Sequence, residues 1–201
     1  EGTAGNYLAQ PVLSNNFAQG GGRVDQYTRR GGIVTVRYLY GRQNLFEPYA
    51  EETTDIPGYG NFVGNTGHNA MAHYLQPIRA NLVNSFRAGV NRSTRNALPQ
   101  NYQRNIAAEW NVPWLEAIDR RDYGYPFFNI QGYSAVGDAT PLPLLRYTTT
   151  YQLQDDVSWI RGRHAFKAGF EARNNRANGN VDLLARGSLS FSGAVSGGGI
   201  S

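Results

Sequence analysis

Between Tyr147 and Arg173 the chain alternates apolar and polar residues with a period of two, and few folds accommodate that pattern. In the first half, Tyr147, Tyr151, Leu153, Val157 and Trp159 fall on one face, opposed by Thr148, Thr150, Gln152, Gln154, Asp156 and Ser158. Asp155 interrupts the apolar face. After Arg161-Gly162-Arg163, the apolar residues Phe166, Ala168, Phe170 and Ala172 alternate with Lys167, Gly169, Glu171 and Arg173. Successive side chains of a strand point to opposite sides, so each half reads as a strand with one dry and one wet face. The glycine between them reads as the turn of a hairpin.

The same rule recovers other strands. Arg23 to Thr28 and Ile33 to Arg42 flank Arg30-Gly31-Gly32, and Asn69 to Gln76 and Leu82 to Arg92 flank a turn at residues 77–81. Val181 to Phe191 is a weaker last candidate. The 201 residues are 40% hydrophobic and only 17% charged, with 24 Gly, 13 Tyr and 9 Phe, which suits strands and turns better than helices. Cysteine is absent, which excludes disulfides and thiolate metal ligands. The net charge is only +4 and the arginines are scattered, so no nucleic-acid partner is expected. No stretch approaches the roughly 20 apolar residues that a membrane helix needs.

Short and long connections alternate. The three turns just named are short, whereas residues 43–68 and 93–146 are long and rich in Gly, Pro, Asn and Tyr. Loops beyond about 12–15 residues are uncommon in compact soluble domains, but outer-membrane barrels have short periplasmic turns and longer outer loops. Tyr125 to Tyr133 looks like a strand by composition, yet if it spanned, the Arg161-Gly162-Arg163 turn would fall on the long-loop side. It is therefore placed inside the second long loop. Pro113 to Arg120 reads as a short helix in that loop, with proline at its first position and a Glu116–Arg120 pair. Gly20-Gly21-Gly22 reads as a loop hinge. These readings divide the chain into a leading segment 1–21, a barrel segment 22–191 and a flexible tail 192–201. Glu1-Gly2-Thr3 has neither an initiator methionine nor signal-peptide character, and the chain is expected to be a mature or internal piece.

Two environments accept the dry faces, a second protein layer or lipid. The wet faces carry Thr, Gln, Ser, Asn, Gly and Arg with little lysine, as a crowded polar lumen would. Tyr38, Tyr40, Tyr147, Tyr151 and Trp159 lie on apolar faces, where they fit either a membrane interface or cross-strand packing in a soluble sheet.

The stretch YQLQDDVSWIRGRHAFKAGFEAR, Tyr151 to Arg173, resembles the barrel segment of TonB-dependent outer-membrane receptors of the Oar-like type. GRVDQYTRRGGIVTVRYLYGRQ (Gly22 to Gln43) and LVNSFRAGVNR (Leu82 to Arg92) are similar to two further segments of that family, in the same order. The resemblance implies an all-β fold of antiparallel up-and-down strands forming part of a transmembrane β-barrel wall in the bacterial outer membrane. It also implies uptake of a bulky nutrient, driven by a TonB-type energy-coupling complex acting through parts absent from this chain. No plug, coupling box or carboxypeptidase-like regulatory domain is found in it. Six or seven spanning strands fall short of about eight, the smallest bacterial barrel, and of about 22 in plugged transporters. The alternatives are a secreted, extracellular β-rich subunit that self-associates into a fibre through its strand edges, and a soluble β-sandwich binding module.

In the barrel reading Arg37, Arg87, Lys167, Glu171 and Arg173 face the lumen, the last three salt-bridging along one strand face. Trp110, Trp114, Tyr123, Phe127 and Phe128 are the candidate ligand contacts in the loops. His68, His73 and His164 read as solvated loop and turn residues without metal-ligand spacing. Glu51, Glu52 and Asp55 read as a solvated acidic run without calcium-loop spacing. Asp155 and Asp156, adjacent on a strand, point to opposite faces and form no acid pair. No nucleophile, phosphate-binding or zinc-protease motif occurs, so neither catalysis, a cofactor nor a metal is expected.

Overall fold

The computed structural model describes residues 8–49, 56–117 and 119–192. Six long strands form one antiparallel sheet in the order β1 (Ser14–Tyr27), β2 (Ile33–Glu47), β3 (Asn61–Arg79), β4 (Leu82–Pro99), β6 (Leu144–Arg161) and β7 (His164–Val181). Between β4 and β6 lies the short β5 (Phe127–Ile130), which pairs in parallel with β8 (Ser188–Phe191) as a separate two-stranded sheet. The six strands form an up-and-down meander, each adjacent to its sequence neighbour in the wall, and β1 and β7 are its edges.

The turns form where glycine permits them. Gly31, at φ +75°, and Gly162, at φ +58°, supply the left-handed conformation that the first and third hairpins need. Thr28 ties the first hairpin by accepting from Gly31 N at 3.0 Å and donating from its own N to Gly32 O at 2.8 Å. The second is tighter than expected, because β3 runs through a bulge between Pro77 and Arg79 and leaves only Ala80-Asn81 as the turn. Asn81 then bridges to β6, accepting at its carbonyl from Ile160 N at 2.9 Å and donating from Nδ2 to Ile160 O at 2.8 Å.

The hairpin ends step across the sheet. Ile33, at the end of the first hairpin, is opposite Leu75, whose β4 partner Ser85 lies three residues above Leu82; Leu82 is opposite Trp159, two residues above Arg161. Such a stagger is how tilted strands keep their ends level in a barrel.

The strands are longer than the sequence periodicity indicates. β1 begins at Ser14, so the glycine triplet is no hinge: Gly20, Gly21 and Gly22 pair with Tyr40, Leu39 and Tyr38. A Cβ at Gly21 would lie 2.4 Å from Leu39 Cδ2, so the missing side chain is what lets the strands approach. β2 continues to Glu47 and β3 starts at Asn61, reducing the first long loop to residues 48–60. β4 runs to Pro99 and β6 starts at Leu144, reducing the second to 100–143. Just beyond the alternating stretches, at residues 41–44, 64–69 and 91–96, both faces are polar, which removes the alternation while ladder hydrogen bonds still form.

Val181 to Phe191 is no spanning strand. Val181 closes β7, and Ser188–Phe191 joins β5, which lies inside the second loop as the turn alternation requires. The expected helix at Pro113 to Arg120 is only a 3-10 turn, Pro113–Leu115. The chain is extended at Glu116, which precludes the Glu116–Arg120 pairing, and Arg121 bonds Asp119 at 2.9 Å instead. Glu51, Glu52, Asp55 and residues 193–201 lie outside the described residues.

Candidate functional site

The six-stranded sheet has two faces of opposite chemistry, and the apolar one is the more exposed. Partners in an antiparallel ladder point to the same side, so the register identifies each face. Val24, Val36, Ala72, Ala88, Leu153 and Ala172 form one continuous row across all six strands. Val24, Val36 and Leu153 are 68%, 51% and 48% exposed, and no second sheet covers this face among the described residues.

One residue along, on the other face, the row is Asp25, Thr35, His73, Arg87, Gln154 and Glu171. Another on the same side is Arg23, Arg37, Met71, Gly89, Gln152 and Arg173. This side is the more enclosed, with Thr35 only 5% exposed. All five expected lumen residues lie on it: Arg37 and Arg173 in one row, Arg87 and Glu171 in the other, and Lys167 opposite Ser158.

The polar face is cross-linked by hydrogen bonds. Arg37 donates to Asn69 at 3.3 Å, Gln43 bridges Asn15 and Asn65 at 3.0 and 2.9 Å, and Gln152 donates to Glu171 at 3.1 Å. Arg173 and Glu171 form the expected ion pair at 2.9 Å, but Lys167 is in no ion pair among the described residues. His68 and His73 are strand residues rather than loop residues. They lie on opposite faces of β3: His73 bonds Ser85 Oγ at 2.9 Å, and His68 Nδ1 bonds the Tyr38 hydroxyl at 2.7 Å. Asp155 and Asp156 also diverge. Asp156 accepts from Gln154 at 2.9 Å, while Asp155 points to the apolar side between Phe86 and Phe170 with a buried Oδ1 that has no partner.

Aromatic rings mark both ends of the apolar face. Near the hairpins Trp159 lies 5.6 Å from Phe166, with the Arg161 guanidinium 5.6 Å from the Trp159 ring. Towards the long loops Tyr40 lies 5.0 Å from His68, and Arg176 is 5.5 Å from the Tyr151 ring.

The second loop folds back over the loop end of the wall. Ala139 and Leu142 pack against Val63 and Ala97, with Leu45 and Leu144 alongside, forming the hydrophobic cluster of the described residues. These wall residues belong to the polar side of β2, β3, β4 and β6, so the loop caps that side rather than the apolar one.

Asp138, 1% exposed, pins the cap. Its Oδ1 accepts from Asn101 Nδ2 at 2.9 Å and its Oδ2 from Tyr125 N at 2.7 Å. Arg186, from the segment after β7, is also buried and donates to Ala139 O at 2.6 Å. Burial raises the Asp138 carboxyl above its ordinary range despite these donors, and burial lowers Arg186. Asp122 is raised by burial and by the charges of Asp182 and Asp119, whereas hydrogen bonds from Arg121 hold Asp119 at about 2.

Of the five loop candidates the structure joins two directly, with Trp110 lying 6.2 Å from Phe128. Phe127 adjoins it on β5, Trp114 stands 70% exposed on its 3-10 turn, and Tyr123 borders a small cavity beside Arg186. Sequence reasoning missed Tyr125, Tyr59 and Arg104. Tyr125 sits 5.7 Å from Trp110 and edge-on to Tyr59 at 5.6 Å, with the Arg104 guanidinium 5.0 Å from its ring. The one available signal was the density of aromatic and arginine residues in the loop.

Neither the curated proteins nor the solved structures contain a match to this chain. One family model does match, over residues 1–201, and it agrees with the meander and its exposed apolar face: the chain belongs to the outer membrane beta barrel domain family.

Proposed function

We propose that this sheet is a section of the wall of a TonB-dependent outer-membrane receptor of the Oar-like type, with lipid on its apolar face and a nutrient passage on its polar face. The observation that carries the orientation is the exposed apolar row backed by the sheltered polar row, an inversion of soluble-sheet design that a bilayer requires. The open edges of β1 and β7 support a larger wall, since unpaired strand edges in hydrocarbon cost several kcal/mol for each orphaned group. The three sequence segments resembling that receptor type, and a cap folded onto the polar side with its Trp110 and Tyr125 cluster, support bulky cargo contacted first by the loops.

The test uses the intact protein in its own cells. Photocross-linking should capture the inner-membrane energy-coupling protein, and detergent extracts should give a heat-modifiable band. No capture, together with an open conducting pore in planar bilayers, overturns the receptor reading. A sedimenting assembly that needs no detergent overturns the membrane reading in favour of pairing through the free edges.

The same orientation makes Asp155 a liability. Asp155→Leu is expected to stabilise the inserted protein by about 1–2 kcal/mol, because a carboxylate on the lipid side loses hydration without gaining a partner. Reversible denaturant titration in lipid vesicles measures it, and a destabilised variant would show that Asp155 has a partner in the assembled wall.

A further inference from the structure

Arg42, Arg92 and Arg176 all lie on the apolar side of the wall, and all three are exposed. They stand nine, ten and twelve residues beyond the hairpin ends of their strands at Ile33, Leu82 and His164. At about 3.3 Å per residue and a tilt of about 45°, these spacings raise them roughly 21–28 Å above the hairpins, about the height of a barrel's apolar band. They form a belt along the upper rim of that band, on the long-loop side.

The charged groups of the belt are all cationic. Arg92 is paired across the ladder with His68 and Thr149, His68 with Tyr40, and Thr149 with Arg176. In the next row Arg42 is opposite Thr66, whose hydroxyl bonds that of Thr94. Arg42 and Arg176 hydrogen-bond to the asparagines two residues away, Asn44 and Asn174, each at 3.3 Å, and Arg176 also lies over the Tyr151 ring. None of the three is in an ion pair among the described residues. The only carboxylate on this side of the six strands is Asp155, within the apolar band and well below the belt.

We infer that this belt binds the phosphate groups of outer-leaflet lipid, through Arg42, Arg92 and Arg176 with Tyr40 and His68 as neutral donors. Guanidinium groups pair with phosphate through parallel hydrogen bonds, and cations at a membrane surface hold anionic headgroups. Charge complementarity selects a phosphorylated lipid over a protein partner: a protein would have to cover an apolar band and a cationic rim together, whereas a bilayer presents a hydrocarbon layer of about that thickness bounded by phosphates. The inference rests on the membrane orientation and not on the cargo or its energy supply.

The test places the intact protein in phosphatidylcholine vesicles containing diphosphorylated lipid A or its dephosphorylated counterpart, and counts the lipid A retained per protein after capture in mild detergent by its acyl chains. The protein should retain the phosphorylated lipid at least tenfold better, with each Arg→Gln change reducing the preference about fivefold. Arg42→Gln/Arg92→Gln/Arg176→Gln should abolish it, and the corresponding triple lysine variant should keep most of it. Arg95→Gln, at a similar height on the polar face, should leave it unchanged. Heat-modifiability confirms that each variant inserts, and the single Arg92→Gln variant serves if the triple one does not. Insertion with no preference, or with equal loss in Arg95→Gln, overturns the belt alone; failure of the unaltered protein to insert overturns the membrane orientation and the belt with it.

Discussion

Leu153→Arg should destabilise the inserted protein by about 2–4 kcal/mol, although the leucine is 48% exposed in the isolated sheet. On the surface of a soluble protein the same change would move stability by about 0.5 kcal/mol or less, so the magnitude separates the two environments. Leu153 lies along β6 between Trp159 and Tyr147, opposite Ala88 and Ala172. An arginine there would stand well inside the apolar band, where a charged head loses its hydration. Gln152→Arg, one residue along, points to the polar side and should cost far less. Equilibrium unfolding in lipid vesicles measures both, and equal small effects would show that the apolar face meets water or another protein layer.

This contrast also explains what the sequence could reveal. Alternation was legible wherever one face needs apolar side chains: Val34 to Tyr40, Phe86 to Val90, Leu153 to Trp159 and Phe166 to Ala172 all recur in the strands at the expected phase. Just above that band a polar stretch follows on both sides, as with Asn44 beside Gln43, Thr94 beside Ser93, and Asn178 beside Gly179, before apolar residues return under the cap. Period-two contrast vanishes there although the backbone ladder continues, and the strand ends were therefore read too early. The glycines at residues 20–22 misled for a related reason. Glycine weakens a strand on average, but opposite Tyr40, Leu39 and Tyr38 the close approach of two backbones favours it.

The site was legible on the wall and obscure in the cap. Arg37, Arg87, Lys167, Glu171 and Arg173 share a face because parity along each strand dictates it, and hairpin turns carry that parity from one strand to the next. The cap depends instead on contacts between distant segments: β5 with β8, Asp138 with Asn101, and Arg186 with Ala139. No local pattern announces such pairs, and a single aspartate in a loop looks the same whether it is solvated or buried.

That buried aspartate makes the cap fragile at one point. Asp138→Ala should loosen residues 100–143 while leaving the wall intact, because it strands Asn101 Nδ2 and Tyr125 N, both of which now donate to the carboxylate. Two charge-assisted hydrogen bonds lost inside a nearly closed site correspond to about 2–4 kcal/mol of local stability, or roughly a hundredfold fall in amide protection across the cap. Asp138→Asn should fall between, since its amino group would face a donor where an oxygen now accepts. The pH dependence has a definite sign. The Asp138 carboxyl is raised, so the stability it contributes is fully present below the ordinary value of 3.8 and is lost as pH rises through its elevated folded value. The exposed Asp119 runs the other way: its pairing with Arg121 supports the cap above 3.8 and is lost as pH falls through about 2. Hydrogen exchange of the inserted protein, corrected for intrinsic rates, should show cap protection declining as pH rises through Asp138's range, and Asp138→Asn should remove that decline. Uniform loss of protection in wall and cap together would show that the cap is part of the wall's folding unit rather than a lid fastened to it.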